Sequence, residues 1–410
     1  MKRALFLGTL LITCGAMFAQ KYLVIDAETK YKEACANQLK IDQMKLGNAW
    51  RSIQEAMAND KTKDFHDTYR VAAQIRNVQV VQMWQAGQQS GRLDTLRYAD
   101  GIKEILGYYS TYDRLLHTPN AKGKLPVRDD ELKKAHTLAQ EQARPLRQNI
   151  LLIGSSLINS HTREGLALLD LYFSSVDDPL FKELKLAETD TLLDAANLYY
   201  GMGLKKIAQS WEDTLKYLSY YEKTLEDPQY GAYSCVELMN TYKQHGDVAS
   251  WEKYCKFALE HFPEDQQYPK LLIQEYVNSE RYEEAFKLCD YMAEKFPKEI
   301  FPVETKALML FNEKKYEESI AIFKRLIEID PTYGRAWCSL GTSYYQLAMQ
   351  NKADVKKCKE YLELAIPAYK KAEEVDPDDP TLWGYYLYHC YHSLNDKVNE
   401  AKYKKYESRI

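Results

Sequence analysis

Apolar residues return at three- and four-residue spacings along most of the chain. Phe65, Tyr69, Ala72, Ala73 and Ile75 mark one such stripe between Asp64 and Ala86. Leu96, Ile102, Ile105, Leu106 and Tyr109 mark another between Leu93 and Leu116. On a helix of 3.6 residues per turn these spacings put side chains on one face, so both stretches predict long amphipathic helices. The same pattern predicts helices over Leu186–Gly201 and Ile207–Leu225, hinged near Gly201 and Gly203, and over Trp383–Leu394 and Lys397–Tyr406. Thr118–Arg128, with Pro119, Gly123 and Pro126, is the clearest long loop, after which Asp129 or Asp130 is placed to cap a helix.

A longer period lies over the short one. Pro263, Pro297 and Pro331 are 34 residues apart. Pro377 follows at 46, Pro228 precedes Pro263 by 35, and Pro179 lies 49 further back. Trp337, Leu340, Gly341 and Tyr344 stand in the pattern W-x2-L-G-x2-Y. Ala365, Tyr369, Ala372 and Pro377 continue it after 12 extra residues around Met349–Tyr361, which predicts that both helices of that unit are lengthened. Ala307, Leu310, Tyr316, Ser319, Phe323 and Leu326 keep the register before Pro331, and Leu272, Tyr276, Tyr282, Ala285 and Met292 keep it before Pro297. Leu238, Tyr242, Gly246, Trp251 and Ala258 do so before Pro263, with Trp251 where a small residue is expected. Leu151, Ser155, Ala167, Leu171 and Ser174 fit more loosely before Pro179.

This pattern resembles the tetratricopeptide repeat family, whose unit is a helix hairpin of 34 residues. The resemblance implies an all-α fold, a right-handed superhelical solenoid of antiparallel helix pairs. Small residues such as Gly341, Ala285 and Ala365 would sit where two helices approach, and Tyr, Leu and Phe would pack one hairpin on the next. The expected organisation is a signal peptide over 1–19, an N-terminal helical region over 20–147, degenerate helix pairs over 148–230, repeats over 231–377 and a capping pair over 378–410. In this family the first helix of each hairpin lines a concave groove. The corresponding candidates for a peptide or partner are Tyr233, Asn240, Lys243, Gln244, Lys270, Gln274, Asn278, Phe301, Phe311, Asn312, Arg335, Tyr345 and Gln346. Gln244, Asn278, Asn312 and Gln346 fall where the first helix ends, and Asn is common there for backbone reasons alone. The family's carboxylate clamp is not matched, because only Asn240 is present and Val236, Leu271, Phe301 and Thr305 stand at its other positions.

Composition narrows the partner. Lys and Arg number 55 against 59 Asp and Glu, a net charge of -4. That mild acidity argues against nucleic acid. Lys2 and Arg3, the apolar run Ala4–Ala16 and small Ala19 read as a signal peptide, with Leu11–Cys14 as a weaker lipobox that would anchor the chain through Cys14. No later stretch is apolar enough to span a membrane. The expected location is therefore the periplasm or outer envelope of a Gram-negative bacterium. Seven cysteines follow Cys14 without a C-x-x-C pair, so neither a disulfide framework nor a zinc module is expected. Cys235 and Cys255 belong to one hairpin; a disulfide there and two buried thiols both remain open.

No phosphate loop, dinucleotide fingerprint, nucleophile elbow or H-E-x-x-H motif occurs. Ser250-Trp251-Glu252-Lys253 matches S-x-x-K, yet Ser250 opens a second helix and reads as a cap. His389 and His392 share a helical face without a third ligand, and Asp376, Asp378 and Asp379 read as a helix stop and a cap. No cofactor, metal or catalysis is expected. The expected function is a scaffold binding protein or peptide. A glycan binder with an aromatic and amide-rich groove is the alternative, and clustering of Trp and Tyr on the groove would mark it. Tyrosine itself is plentiful, 33 residues. The repeat register assigns Tyr242, Tyr276, Tyr344, Tyr282, Tyr316 and Tyr369 to packing. It leaves the second members of five doublets (Tyr108-Tyr109, Tyr199-Tyr200, Tyr220-Tyr221, Tyr344-Tyr345, Tyr385-Tyr386) and Tyr233 as exposed candidates.

Overall fold

The computed structural model describes residues 21–37 and 40–408, so the expected signal peptide and Cys14 lie outside the described residues. Among the described residues there is no strand. None of the described helices is long and apolar enough to cross a membrane. The chain divides into two compact units, Met1–Glu237 and Leu238–Ile410.

The first unit contains α1 (Tyr22–Ala34), α2 (Gln43–Ala58), α3 (His66–Ser90), α4 (Thr95–Leu116), α5 (Asp129–Leu157), α6 (Thr162–Ser174), a short α7 (Leu186–Thr189), α8 (Leu193–Ile207) and α9 (Trp211–Glu222). α10 (Gly231–His245) carries the boundary between the units. Helices pair in chain order, α1 with α2, α3 with α4, α5 with α6 and α8 with α9. Ile105, Ile150, Tyr172 and Phe181 are fully enclosed in one core, and Ile53 and Ile75 in another. The Thr118–Arg128 loop is present, but Arg128 is the residue that precedes α5, while Asp129, Asp130 and Glu131 fill its first turn. Negative charge there suits the positive end of the helix.

Two expectations for this unit are corrected. Gly201 and Gly203 are not a hinge but lie inside α8. A Cβ on Gly203 would come within 2.8 Å of Ile158 and Leu166 side-chain atoms, so the residue is small because helices crowd it. The breaks fall instead between α7 and α8 and at Ala208–Ser210, where Ser210 caps α9 by accepting from the Asp213 N–H at 3.1 Å. The loosely fitting unit before Pro179 is also out of register. Ala167 is exposed, and the tight contact between α5 and α6 is made by Gly154 and Gly165. A Cβ on Gly165 would stand 2.8 Å from the Gly154 carbonyl oxygen.

The second unit continues with α11 (Val248–His261), α12 (Gln267–Asn278), α13 (Tyr282–Lys295), α14 (Ile300–Asn312), α15 (Tyr316–Ile329), α16 (Gly334–Gln350), α17 (Val355–Val375), α18 (Gly384–Ser393) and α19 (Lys397–Tyr403). From α11 onward each helix packs on the next. Ala285, Ala307, Ser319 and Ala365 are all fully buried. The Ser319 hydroxyl donates to the Ala307 carbonyl at 3.1 Å, so a small residue also spares a buried hydroxyl from being orphaned. α16 and α17 run to 17 and 21 residues against 13 and 14 for α14 and α15, so the two helices take up all but one of the 12 inserted residues and the turn between them takes the last.

The hairpin turn repeats as a backbone conformation. Gly246, Glu280 and Lys314, each 34 residues from the next, all take positive φ, at 79°, 57° and 62°. Asn395 does the same in the last hairpin, at 59°. The following N–H then reaches back to cap the first helix: Asp247 to Tyr242, Arg281 to Tyr276, Lys315 to Leu310 and Asp396 to Tyr391, at 2.7–3.0 Å. This is the left-handed helix-end motif, which glycine adopts without the Cβ penalty that Glu280 and Lys314 bear.

Candidate functional site

The candidate face is built on the first helices α10, α12, α14 and α16. Asn240, Lys243, Gln244, Gln274, Asn278, Asn312 and Arg335 are exposed. One position carries an amide in each of these four hairpins: Gln244, Asn278, Asn312 and Gln346, spaced by 34 residues, the first three exposed and Gln346 half-buried. Asn278 and Asn312 end their helices. Gln346 does not, because α16 continues to Gln350, yet the amide is kept at that register. A helix-end preference therefore does not account for the whole row.

The aromatic candidates and Lys270 are engaged in packing, and exposed Lys243 also meets a ring. Lys270 is half-buried, pairs with Glu299 at 2.8 Å and donates to Gln266 at 3.2 Å, which ties α12 to the residue preceding α14. Phe301 lies beneath it, its ring centroid 5.9 Å from the Lys270 Nζ. Phe311 packs edge-on against Tyr316, with centroids 5.2 Å apart, and Tyr345 packs against Tyr386 at 6.1 Å. Lys243 places its ammonium 4.9 Å from the Trp251 ring, so the bulky residue at a small-residue position is covered by a lysine. Tyr233 belongs to the first unit; it is 45% exposed and packs edge-on to Tyr221.

The tyrosine doublets correct the expectation. None of their ten rings is exposed: each doublet pairs a buried ring with a half-buried one, or holds two half-buried rings. Tyr369 shows why so many are used. Its ring is fully buried against Gly341, its hydroxyl donates to Thr342 at 3.1 Å, and Tyr386 stacks on it at 4.9 Å. Tyrosine fills a helix interface and carries its own polar tip to a partner.

The other motifs resolve into structure. Asp247, not Ser250, caps α11, accepting from the Ser250 N–H at 3.0 Å while the Ser250 hydroxyl donates back to its carboxylate at 2.8 Å. His389 turns to the Glu407 carbonyl at 3.2 Å and His392 to the Glu400 carboxylate at 2.9 Å, so the two rings have separate partners. Asp379 caps a short turn through Thr381. None of the described cysteines is in a disulfide. Burial pushes the Cys235, Cys289 and Cys390 thiols up to about 12.

Two polar clusters in the first unit were not anticipated. Arg147, almost fully buried, donates to Ser175 at 2.7 Å and Asp190 at 2.8 Å beside a cavity of about 230 Å³, and Tyr172 donates to the same Asp190 at 2.7 Å. The second cluster is Asp113, His117 and His136.

No family model matches the chain, and no curated protein does. Several solved structures are similar at low identity. A structure of MamA from MSR-1 shares 18% identity over 45% of this chain and 95% of its own, with a TM-score of 0.29. PilW, a type IV pilus biogenesis factor, shares 11% over 52% and 91%, at 0.30. A human IFIT1 dimer with m7Gppp-AAAA shares 15% over 73% and 68%, at 0.32. The class assigned here, an all-α array of tetratricopeptide-like helix hairpins, rests on this chain's own repeat and pairing.

Proposed function

We propose that this chain is an exported scaffold that binds a protein or peptide partner on the first-helix face of residues 231–377. In this proposal residues 1–19 direct export to the envelope, residues 20–147 are an N-terminal helical region and residues 148–230 are degenerate helix pairs. Residues 378–410 close the array. The carrying observation is the amide row Gln244, Asn278, Asn312 and Gln346. Side-chain amides donate and accept at once, which suits the backbone of an extended peptide. Absence of a recognisable catalytic motif agrees with a binding role. The glycan alternative draws less support, because the Phe and Tyr candidates of the second unit are half-buried in hairpin packing.

The test is crosslinked affinity capture from the native envelope, comparing the wild-type chain with N278A/N312A/Q346A. The expected result is a discrete protein partner whose recovery falls about tenfold or more in the variant, one decade being about 1.4 kcal/mol. Recovery of carbohydrate without protein, or equal capture by both chains, overturns the proposal.

A further inference from the structure

In the first unit, the end of α4 and the start of the α5 stripe bring together three side chains far apart in sequence. Asp113 sits in the last turn of α4, and its carboxylate is almost completely buried. His117, one helical turn later, ends the same helix and is half-exposed. His136 comes from α5, across the Thr118–Arg128 loop, and is mostly buried. Nδ1 of His136 lies 2.7 Å from Asp113 Oδ1, and Nδ1 of His117 lies 3.5 Å from the same oxygen. One ligand atom from each of the three residues falls within 4.8 Å of the others. The two rings meet edge to face at 5.6 Å, so they do not stack over each other's nitrogens.

We propose that Asp113, His117 and His136 form a binding site for a divalent transition ion of the zinc type. Two imidazoles and one carboxylate are the donors such ions take, and three protein ligands leave a fourth position for solvent. With bonds of about 2.0–2.2 Å, tetrahedral ligand atoms stand about 3.3 Å apart. The His117 contact is already near that spacing, and the His136 contact has to open by about half an ångström. Two further observations favour a cation. The site lies at the C-terminal turn of a 22-residue helix, where the peptide dipoles present their negative end. To ligate through Nδ1, His117 gives up the hydrogen bond that this nitrogen donates to the Asp113 carbonyl at 2.9 Å. His136 Nε2 is buried without a hydrogen-bond partner, so the ring's polar engagement is through Asp113 alone. Bound there, the ion would pin the end of α4 to α5 and close the base of the loop that separates them.

The experiment uses the full chain, freed of metal by chelation and titrated with Co²⁺ and then Zn²⁺. Expected are one equivalent of Co²⁺ with a tetrahedral absorption spectrum, its displacement by Zn²⁺, and a higher melting temperature with Zn²⁺. His117 is half-exposed at a helix end, so His117→Ala should keep the fold, checked by far-ultraviolet circular dichroism, and weaken binding at least tenfold. His136→Asn should do the same. H389A/H392A, which removes the other close pair of histidines, should bind as the wild type does. Absence of stoichiometric binding in the wild type, undiminished binding in His117→Ala, or loss in H389A/H392A overturns the proposal.

Discussion

Arg281 holds Glu252 with both ends of its guanidinium, Nη1 to Oε2 at 2.6 Å and Nη2 to Oε1 at 3.2 Å. The contact joins α11 to the turn before α13, and Tyr276 of α12 donates to the same carboxylate at 3.0 Å. Three consecutive helical segments thus converge on one carboxylate, with Lys256 as a further cation at 2.6 Å.

The Arg281 hydrogen bonds, against burial and with help from Lys256 and Tyr276, lower the Glu252 pKa from 4.5 to about 2. A carboxyl whose folded pKa is depressed stabilises the fold above its unfolded pKa and loses that contribution as the pH falls. The second unit should therefore lose stability between about pH 4.5 and about 2. Glu252→Gln should flatten this acid limb in urea melts taken across that range. At neutral pH the same substitution should cost about 2 kcal/mol, the scale of hydrogen bonds to a charged group. An unchanged acid limb would show that the clasp carries no weight.

The left-handed turn predicts opposite signs at equivalent positions. Glu280→Gly and Lys314→Gly relieve a Cβ strained at positive φ and should each stabilise by about 0.5–1 kcal/mol. Gly246→Ala introduces that strain and should destabilise by about 1 kcal/mol. Chemical denaturation of the three variants measures the contrast.

Glycines inside helices should also divide by their surroundings. Gly165→Ala forces a Cβ to 2.8 Å from the Gly154 oxygen and 3.1 Å from the Ile158 nitrogen, backbone atoms that cannot turn aside. A loss of about 1–3 kcal/mol is expected. Gly107, also in a helix, has nothing within 4 Å of an added Cβ, so Gly107→Ala should gain about 0.5–1 kcal/mol from helix propensity. Thermal melts of the pair, read side by side, check both signs.

Thiol chemistry should follow burial. Alkylation of the native chain near neutral pH should spare Cys235, Cys289 and Cys390, whose thiols burial keeps protonated, and reach half-buried Cys35, Cys338 and Cys358 before them. Mass spectrometry of native and unfolded samples distinguishes the sites. Early labelling of Cys390 would contradict the packing of α18.

The sequence made the hairpins readable because each repeat must bury small residues and rings at fixed offsets. Ala285, Ser319 and Tyr369 could therefore be placed before any coordinates. The turn conformation was legible only at Gly246 and Asn395, since Glu280 and Lys314 carry no such mark. Pro145 and Pro367 look like helix breaks but stand inside α5 and α17. Both project from exposed faces, and the carbonyls they deprive of a donor belong to exposed Glu141 and Glu363, where water can serve. Gly201 and Gly203 suggested flexibility, whereas crowding by a neighbouring helix is a tertiary fact that no local pattern carries. The Asp113, His117 and His136 cluster was missed for a related reason. Only the i, i+4 pair is local, and the third member arrives across a loop whose path the sequence does not state.

Because each helix from α11 onward packs chiefly on its chain neighbours, little of the second unit is locked by distant parts of the chain. Pulled from its two ends, such an array has no single mechanical clamp. It should yield one hairpin at a time, at low and similar forces, and shorten again reversibly when the load drops.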